Sequence, residues 1–290
     1  MDCLKNCPVP GAKPFIVLVL IVMVVLALPY LLLSGIINWI LNGMLWFMSR
    51  ILRSMSDEED GTMKYSYSLK KEIDLTNVDT SLTDDMTFMF FRCHRLKHIH
   101  MGEIDTTHVT DMSNMFCDCP KLESLDLSRF ATGLVTDMNG MFNGCKILET
   151  LNLSMFRTSS VTSMKNMFSG DKKLRDIQMP YFDTSSVTDM ESMFQNCRSL
   201  QQLDLSSFDT SKVVTMKSMF ANCRDLRTIG ASTVLDLSSV KEYTGMFFNC
   251  AKLHDVKLKN VPKNFNYRRA GLRDDQFTIV DDEEYVETPV

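Results

Sequence analysis

The chain has no run of lysine or arginine interleaved with aromatic residues, the composition that a groove for a phosphate backbone requires. Its 31 basic residues stand against 36 acidic ones, for a net charge of -5 at pH 7, and along the sequence they are scattered. Nucleic acid is therefore not an expected partner. Histidine is scarce too, with five in 290 residues. A seryl or threonyl nucleophile needs one positioned base, and the hydroxyls that recur along this chain have no matching histidine. No triad can be assembled, and no catalytic residue is expected. Aspartates such as Asp126 and Asp204 lack the dense oxygen spacing of a calcium loop. Cys93, His94, His98 and His100 form the one grouping that invites a metal. In the repeat register His98 and His100 share the outer face of a strand while Cys93 points elsewhere, so four ligands do not converge. Neither a metal nor a cofactor is expected.

Charge is also missing from residues 15–33, where only Pro29 and Tyr30 interrupt the aliphatic content. Nineteen such residues are long enough to cross ~30 Å of hydrocarbon as a helix. No small-x-small cleavage site follows, and no cysteine stands after the run to make a lipoprotein box, so the segment is read as a retained transmembrane helix behind a flank at 1–14. Residues 36–53 carry Trp39 and Trp46, with Asn38, Asn42, Ser49 and Arg53 near one helical face. That pattern fits a helix lying in the interface with its tryptophans at headgroup depth, or a second pass closing a hairpin through Ser34-Gly35. Lys5 and Lys13 before the first run balance Arg50 and Arg53 after the second, so charge sets no orientation. Cys3 and Cys7 beside the run are weak candidates for acylation.

Beyond an acidic linker at 54–61, one unit repeats. Met-Phe pairs begin at Met89, Met115, Met141, Met167, Met193 and Met219, always with a period of 26, and again at Met246 after 27. A strict period of this kind means a stack of supersecondary units, each too small to bury its own apolar face, rather than a globule with a cleft. Asp111, Asp137 and Asp189 precede M-x-x-M-F, where a short carboxylate side chain caps free backbone N–H groups. Met at i and i+3 with Phe at i+4 then share one face of a helical turn, which places Met86, Met112, Met138, Met164, Met190 and Met216 inward. The second half, L-x-x-L-x-L as in Leu122, Leu125 and Leu127, ends in the alternation of a half-buried strand. Thr80, Thr106, Thr132, Thr158, Thr184 and Thr210 recur in the turn between the two, where hydroxyls satisfy backbone groups.

These features predict an α/β repeat solenoid: a right-handed, leucine-rich-repeat-like stack of about seven coils, each a short strand plus a short helix, behind an N-terminal transmembrane helix. The array is expected at 78–259, after a partial coil at 62–77 whose Ile73-Asp74-Leu75 matches the later strands. Residues 260–290 form a C-terminal cap and an acidic tail with seven acids and no Lys or Arg from Asp274 onward. The motif M-x-x-M-F-x-x-C-x-x-L-x-x-L-D-L-S-x-F-D-T-S-x-V-T, recurring over 78–259, resembles the repeat of BspA-like leucine-rich repeat surface proteins. That resemblance implies a surface-exposed or secreted, non-enzymatic adhesin whose solenoid engages host or matrix proteins. The N-terminal anchor and the acidic tail depart from that family's pattern.

Cys93, Cys119, Cys145, Cys197, Cys223 and Cys250 occupy one position of the coil, and Asp171 interrupts the row. Pairing neighbours would leave an unmatched thiol in each set of three, with Cys117 surplus, so free core thiols are expected. On the outer strand face His98, His100, Asp126, Asn152, Gln178, Asp204 and Lys257 vary while the inner ladders do not. Such a face suits a protein-binding surface on a fixed scaffold, and a merely solvated sheet face is the alternative. Asn152-Leu153-Ser154 also matches a glycosylation acceptor. The final Thr288-Pro289-Val290 matches what a strand-adding peptide-binding domain accepts. The expected function is display of a solenoid surface for adhesion or recognition at the cell surface, with protein ligands and the lipid bilayer as partners. The alternative is a scaffold that assembles with itself and tethers a protein layer or coat to a membrane.

Overall fold

The computed structural model describes residues 65–280. The N-terminal flank, the two apolar runs at 15–33 and 36–53, the linker at 54–61, Cys3, Cys7 and the terminal Thr288-Pro289-Val290 lie outside the described residues. Among the described residues no helix is long and apolar enough to cross a membrane. The repeats lie in the second of two units of the chain, which begins at Tyr65.

That second unit is a β-solenoid of about eight turns. Its regular elements are few and short. In chain order they are β1 (Glu72–Asp74), β2 (His98–His100), β3 (Thr150–Asn152), β4 (Asp176–Gln178), β5 (Val234–Asp236), β6 (Val256–Lys259), α1 (Tyr267–Ala270) and β7 (Phe277–Ile279). The strands pair in parallel as β1-β2, β3-β4 and β5-β6-β7, with Ile73 opposite Ile99 and Leu151 opposite Ile177. The L-x-L segments thus make three separate small sheets and not one continuous sheet. A longer ladder runs elsewhere: parallel bridges link Asp85, Asp111, Asp137, Ser163, Asp189, Thr215 and Glu242, one per coil.

The expected short helix in each coil is not there. Over Met112 to Phe116, the N–H groups of Met112, Asn114 and Phe116 donate to the carbonyls of Asp137, Asn139 and Met141 in the next coil, and not four residues back. Between them Met115 N–H closes a turn onto Met112 C=O and Cys117 N–H one onto Asn114 C=O. A residue with positive φ sits inside the first turn of every coil, with Asn114 at 56°, Asn166 at 56°, Ser192 at 57° and Gly140 at 58°. A left-handed residue at the third place of a β-turn is what a type II turn needs and what an α-helix forbids. The segment is therefore a train of β-turns that hands alternate donors to the next coil. Aspartate does cap it: Oδ1 of Asp111, Asp137 and Asp189 accepts the N–H two residues on, at 2.8, 2.7 and 2.8 Å.

The apolar positions point inward as the repeat requires. Met86, Met112, Met138, Met164, Met190 and Met216 are buried, as are the Met-Phe pairs beside them. Phe90, Phe116, Phe142, Phe168, Phe194, Phe220 and Phe247 form one column of near-parallel rings with centroids 5.2 to 5.7 Å apart, extended at its start by Tyr65. Phe130, Phe156, Phe182 and Phe208 form a second column. Stacked rings in register supply both burial and orientation, so each coil fixes the next. At the C-terminal end α1 closes the stack. Asn266 caps its start by accepting from Arg269 N–H, Gly271 ends it at φ 87°, and Ala270 and Leu272 cover the last coil.

Candidate functional site

With the interior uniform, chemistry must lie on the outside of the coils. The expected strand face is exposed where the sequence places it: His100, Asp126, Asn152, Gln178 and Asp204 are on the surface, and His98 and Lys257 are half-buried. The structure brings some of these together and separates others. Asn152 lies beside Gln178 across β3 and β4, and His100 beside Asp74 across β1 and β2. Asp126 and Asp204 fall outside the strands, in segments where the side chain turns back on its own backbone, accepting from Ser128 and Ser206 N–H at 3.0 Å each. Hydrogen bonds from Ser128 hold the Asp126 carboxyl below the usual carboxylate range. Lys257 departs from the column. Its partner in β5 is Val234, and its ammonium donates to Ala231 C=O.

The remaining candidates disperse. His98 pairs with Glu123 and His94 with Asp118, while Cys93 is buried and donates to Tyr65 C=O. Seven cysteines among the described residues are free and buried. The later thiols of the row donate to a phenylalanine carbonyl one coil back, such as Cys119 to Phe90 and Cys197 to Phe168 at 3.0 Å. Burial pushes the Cys117 and Cys250 thiols up to about 12, far from the thiolate that nucleophilic or metal chemistry needs. Among the described residues no group of three or more His, Cys, Asp or Glu is placed to hold a metal ion.

Two surface features escape a residue-by-residue reading. The first is the bridged column of Asp85, Asp111, Asp137, Asp189 and Glu242, an acidic edge along the array. Burial, with Asp111 as a like-charged neighbour, raises the Asp137 carboxyl above its ordinary range. The signal for it was the position in the repeat, since an acid recurs at that place in most coils. The second is an open groove of about 500 Å³ at the C-terminal end, lined by Val261, Pro262, Phe265, Tyr267, Phe277 and Ile279 among others. Exposed apolar side chains also stand on the flanks, including Leu134, Met155 and Tyr181, the last under the Arg157 guanidinium at 4.7 Å.

Among solved structures the chain is similar to a leucine-rich cell surface protein from Faecalibacterium prausnitzii A2-165, at 17% identity over 66% of this chain and with a TM-score of 0.38. The chain spans 64% of the length of that protein. It is also similar to a leucine-rich repeat protein from Bacteroides ovatus ATCC 8483, at 15% identity over 73% of this chain and 84% of that one, with a TM-score of 0.24. No curated protein matches it. The family described as "Mycoplasma protein of unknown function, DUF285" matches at 61–151 and 143–260, and these spans take in well over half of the sequence. The chain belongs to that family.

Proposed function

We propose that this is a membrane-anchored, non-enzymatic repeat protein that presents the outside of its solenoid to a protein partner, in adhesion or recognition at a cell surface. The observation that carries it is the contrast between interior and exterior. Columns facing inward repeat Met, Phe and Leu along the array, with Cys at its own position in every coil but that of Asp171, whereas the outward column of His100, Asp126, Asn152, Gln178 and Asp204 changes from coil to coil. A scaffold held constant by packing and a face free to vary is the arrangement of solenoid binding proteins. The anchor in this reading is the uncharged run at 15–33.

The test is binding of surface proteins by the intact chain before and after Asp126→Lys with Asp204→Lys. Both side chains are exposed, and the variant gives up the hydrogen bonds from Ser128 and Ser206 N–H. Its fold is therefore checked by circular dichroism and by comparison with Asp126→Asn and Asp204→Asn, which keep the acceptor and should bind more nearly as the parent does. For the lysine variant a loss of at least about tenfold in affinity is expected, since like-charge juxtaposition at an interface costs several kcal/mol. Unchanged binding by the folded variant would move the site off this face. Protease protection of the array in sealed vesicles assigns the side of the membrane that bears it.

A further inference from the structure

Cations that are scattered in the sequence are aligned in the fold. Lys146, Lys172, Arg198 and Arg224 are spaced one period apart, one on each of four successive coils, and all four are exposed. Each follows the residue of the cysteine row and is the second residue of a β-turn closed by Leu148, Leu174, Leu200 or Leu226 N–H onto the carbonyl three residues back. All four side chains are exposed at equivalent turn positions, so they form a row along the array, with neighbours ~4.8 Å apart as coils stack. Lys121 and Lys173 occupy the adjoining turn position, and Arg175 and Arg227 lie just beyond it, all exposed.

Several other cations of the array are neutralised from coil to coil. Lys97 pairs with Glu123, Arg129 with Glu103 and Lys165 with Glu191, each one repeat apart, and in the turn column adjoining the four cations Lys252 pairs with Asp225. The edge breaks that habit. Among the described residues none forms an ion pair or side-chain hydrogen bond with Lys146, Lys172, Arg198 or Arg224, and stacking like charges in register works against folding. An array that tolerates this repulsion gains from an external anion. The four side chains stand exposed at turns, and no Phe, Tyr or Trp stands in the two turn columns. The edge therefore lacks the aromatic stacking platform of a single-strand nucleic-acid site. A ridge of long cations meets a plane along its whole length.

We propose that this ridge lies on an anionic bilayer surface, its lysines and arginines in the plane of lipid phosphates, while the opposite-signed acidic edge and the variable strand face are left for a protein partner. The choice of a bilayer as the anionic plane rests on reading residues 15–33 as the membrane anchor.

The intact chain is reconstituted with vesicles of phosphatidylcholine alone or with phosphatidylglycerol added, alongside the variant with Lys146→Gln, Lys172→Gln, Arg198→Gln and Arg224→Gln. Flotation is scored, and amine acylation is mapped by mass spectrometry. Acylation of Lys146 and Lys172 should fall at least about tenfold on the anionic vesicles at low salt and recover in about 0.5 M salt, while Lys217 and Lys241 on other faces do not change. In the variant, protection of the neighbouring Lys173 should be lost. Flotation with both vesicles and identical footprints overturns the ridge proposal and leaves the anchor standing. Flotation with anionic vesicles only, abolished in the variant, upholds the ridge and removes the anchor. Protection by a soluble sulfated polysaccharide but not by anionic vesicles also overturns the proposal, giving the ridge to a polymer. Flotation with neither vesicle overturns both.

Discussion

Five buried threonines of the array, Thr80, Thr106, Thr132, Thr158 and Thr210, each satisfy two backbone groups at once. The Thr158 hydroxyl donates to Asp183 C=O and accepts from Asp183 N–H, both at 2.9 Å, and Thr106 and Thr132 treat Ala131 and Arg157 in the same way. Replacing Thr158 with Val keeps the volume and strands a buried donor and acceptor, so chemical denaturation should report a loss of about 2–4 kcal/mol, most of it restored by Ser. The recurrence of D-T-S made a backbone role for these hydroxyls legible in the sequence; that each one serves a single residue of the next coil was not, because that contact lies almost a full period along the chain. Asp171 is the converse case. It replaces a cysteine in the row, is fully buried, accepts from Cys145 N–H with Oδ1, and leaves Oδ2 without a partner. Burial raises its carboxyl well above the ordinary value. The folded chain then holds this proton more tightly than the unfolded one, so the contribution is present below pH ~4, where the unfolded carboxyl is protonated too, and is lost as pH rises toward the folded value. Asp171→Cys should stabilise by about 1–3 kcal/mol near neutrality, with little gain at pH 4 and a growing gain toward pH 8 in urea titrations. A pH-independent difference would mean the carboxyl is not neutral in the fold.

The M-x-x-M-F segment shows why an element can be misread when its burial is read correctly. Apolar residues at i, i+3 and i+4 share a face in a helix and also in consecutive β-turns, so periodicity alone cannot separate them. The discriminating residue lies between the two methionines, where Asn114, Gly140 and Asn166 favour the left-handed region that turns use and helices avoid. The strands were legible as alternation, yet only some L-x-L segments pair, and Lys257 pairs with Val234 of β5, away from its expected column. At the end of the stack the decisive element is the α1 cap. Gly271 sits at φ 87°, and an added Cβ would meet Phe248 N at 2.5 Å, a backbone atom that cannot swing aside. Gly271→Ala should destabilise by about 2–4 kcal/mol, from the left-handed penalty and the overlap together. Hydrogen exchange should show the loss first at β7 and Ala270, with the coils around Phe142 still protected. Uniform loss across all coils would mean that the array unfolds as one unit and has no separately frayed end.

At the scale of the whole array, stability follows from identical contacts repeated along one axis, and that has a consequence no single coil shows. Inter-coil bonds connect equivalent residues, with Thr162 N–H on Thr136 C=O and Thr188 N–H on Thr162 C=O, both at 2.9 Å. The ridge was illegible in the sequence for the same reason, since the long period spreads its cations apart along the chain and the stack alone gathers them. Removing residues 162–187, one full period, leaves Val161 joined to Thr188 with every ladder in register, and Thr188 takes the place of Thr162 on Thr136. It also removes Asp171, so that Cys145 and Cys197 become neighbours in an uninterrupted row. The shortened chain should fold, with a denaturant slope lower by roughly one part in eight, because that slope scales with the surface exposed on unfolding. Its midpoint should fall only slightly, as one interface is lost but one buried unpaired carboxyl goes with it. Removing 162–174, half a period, should instead put methionine positions against strand positions and abolish cooperative unfolding. If circular dichroism and denaturation find the two deletions equally damaging, the coils do not act as interchangeable units; if they find both harmless, the register of the columns is not what holds the array together.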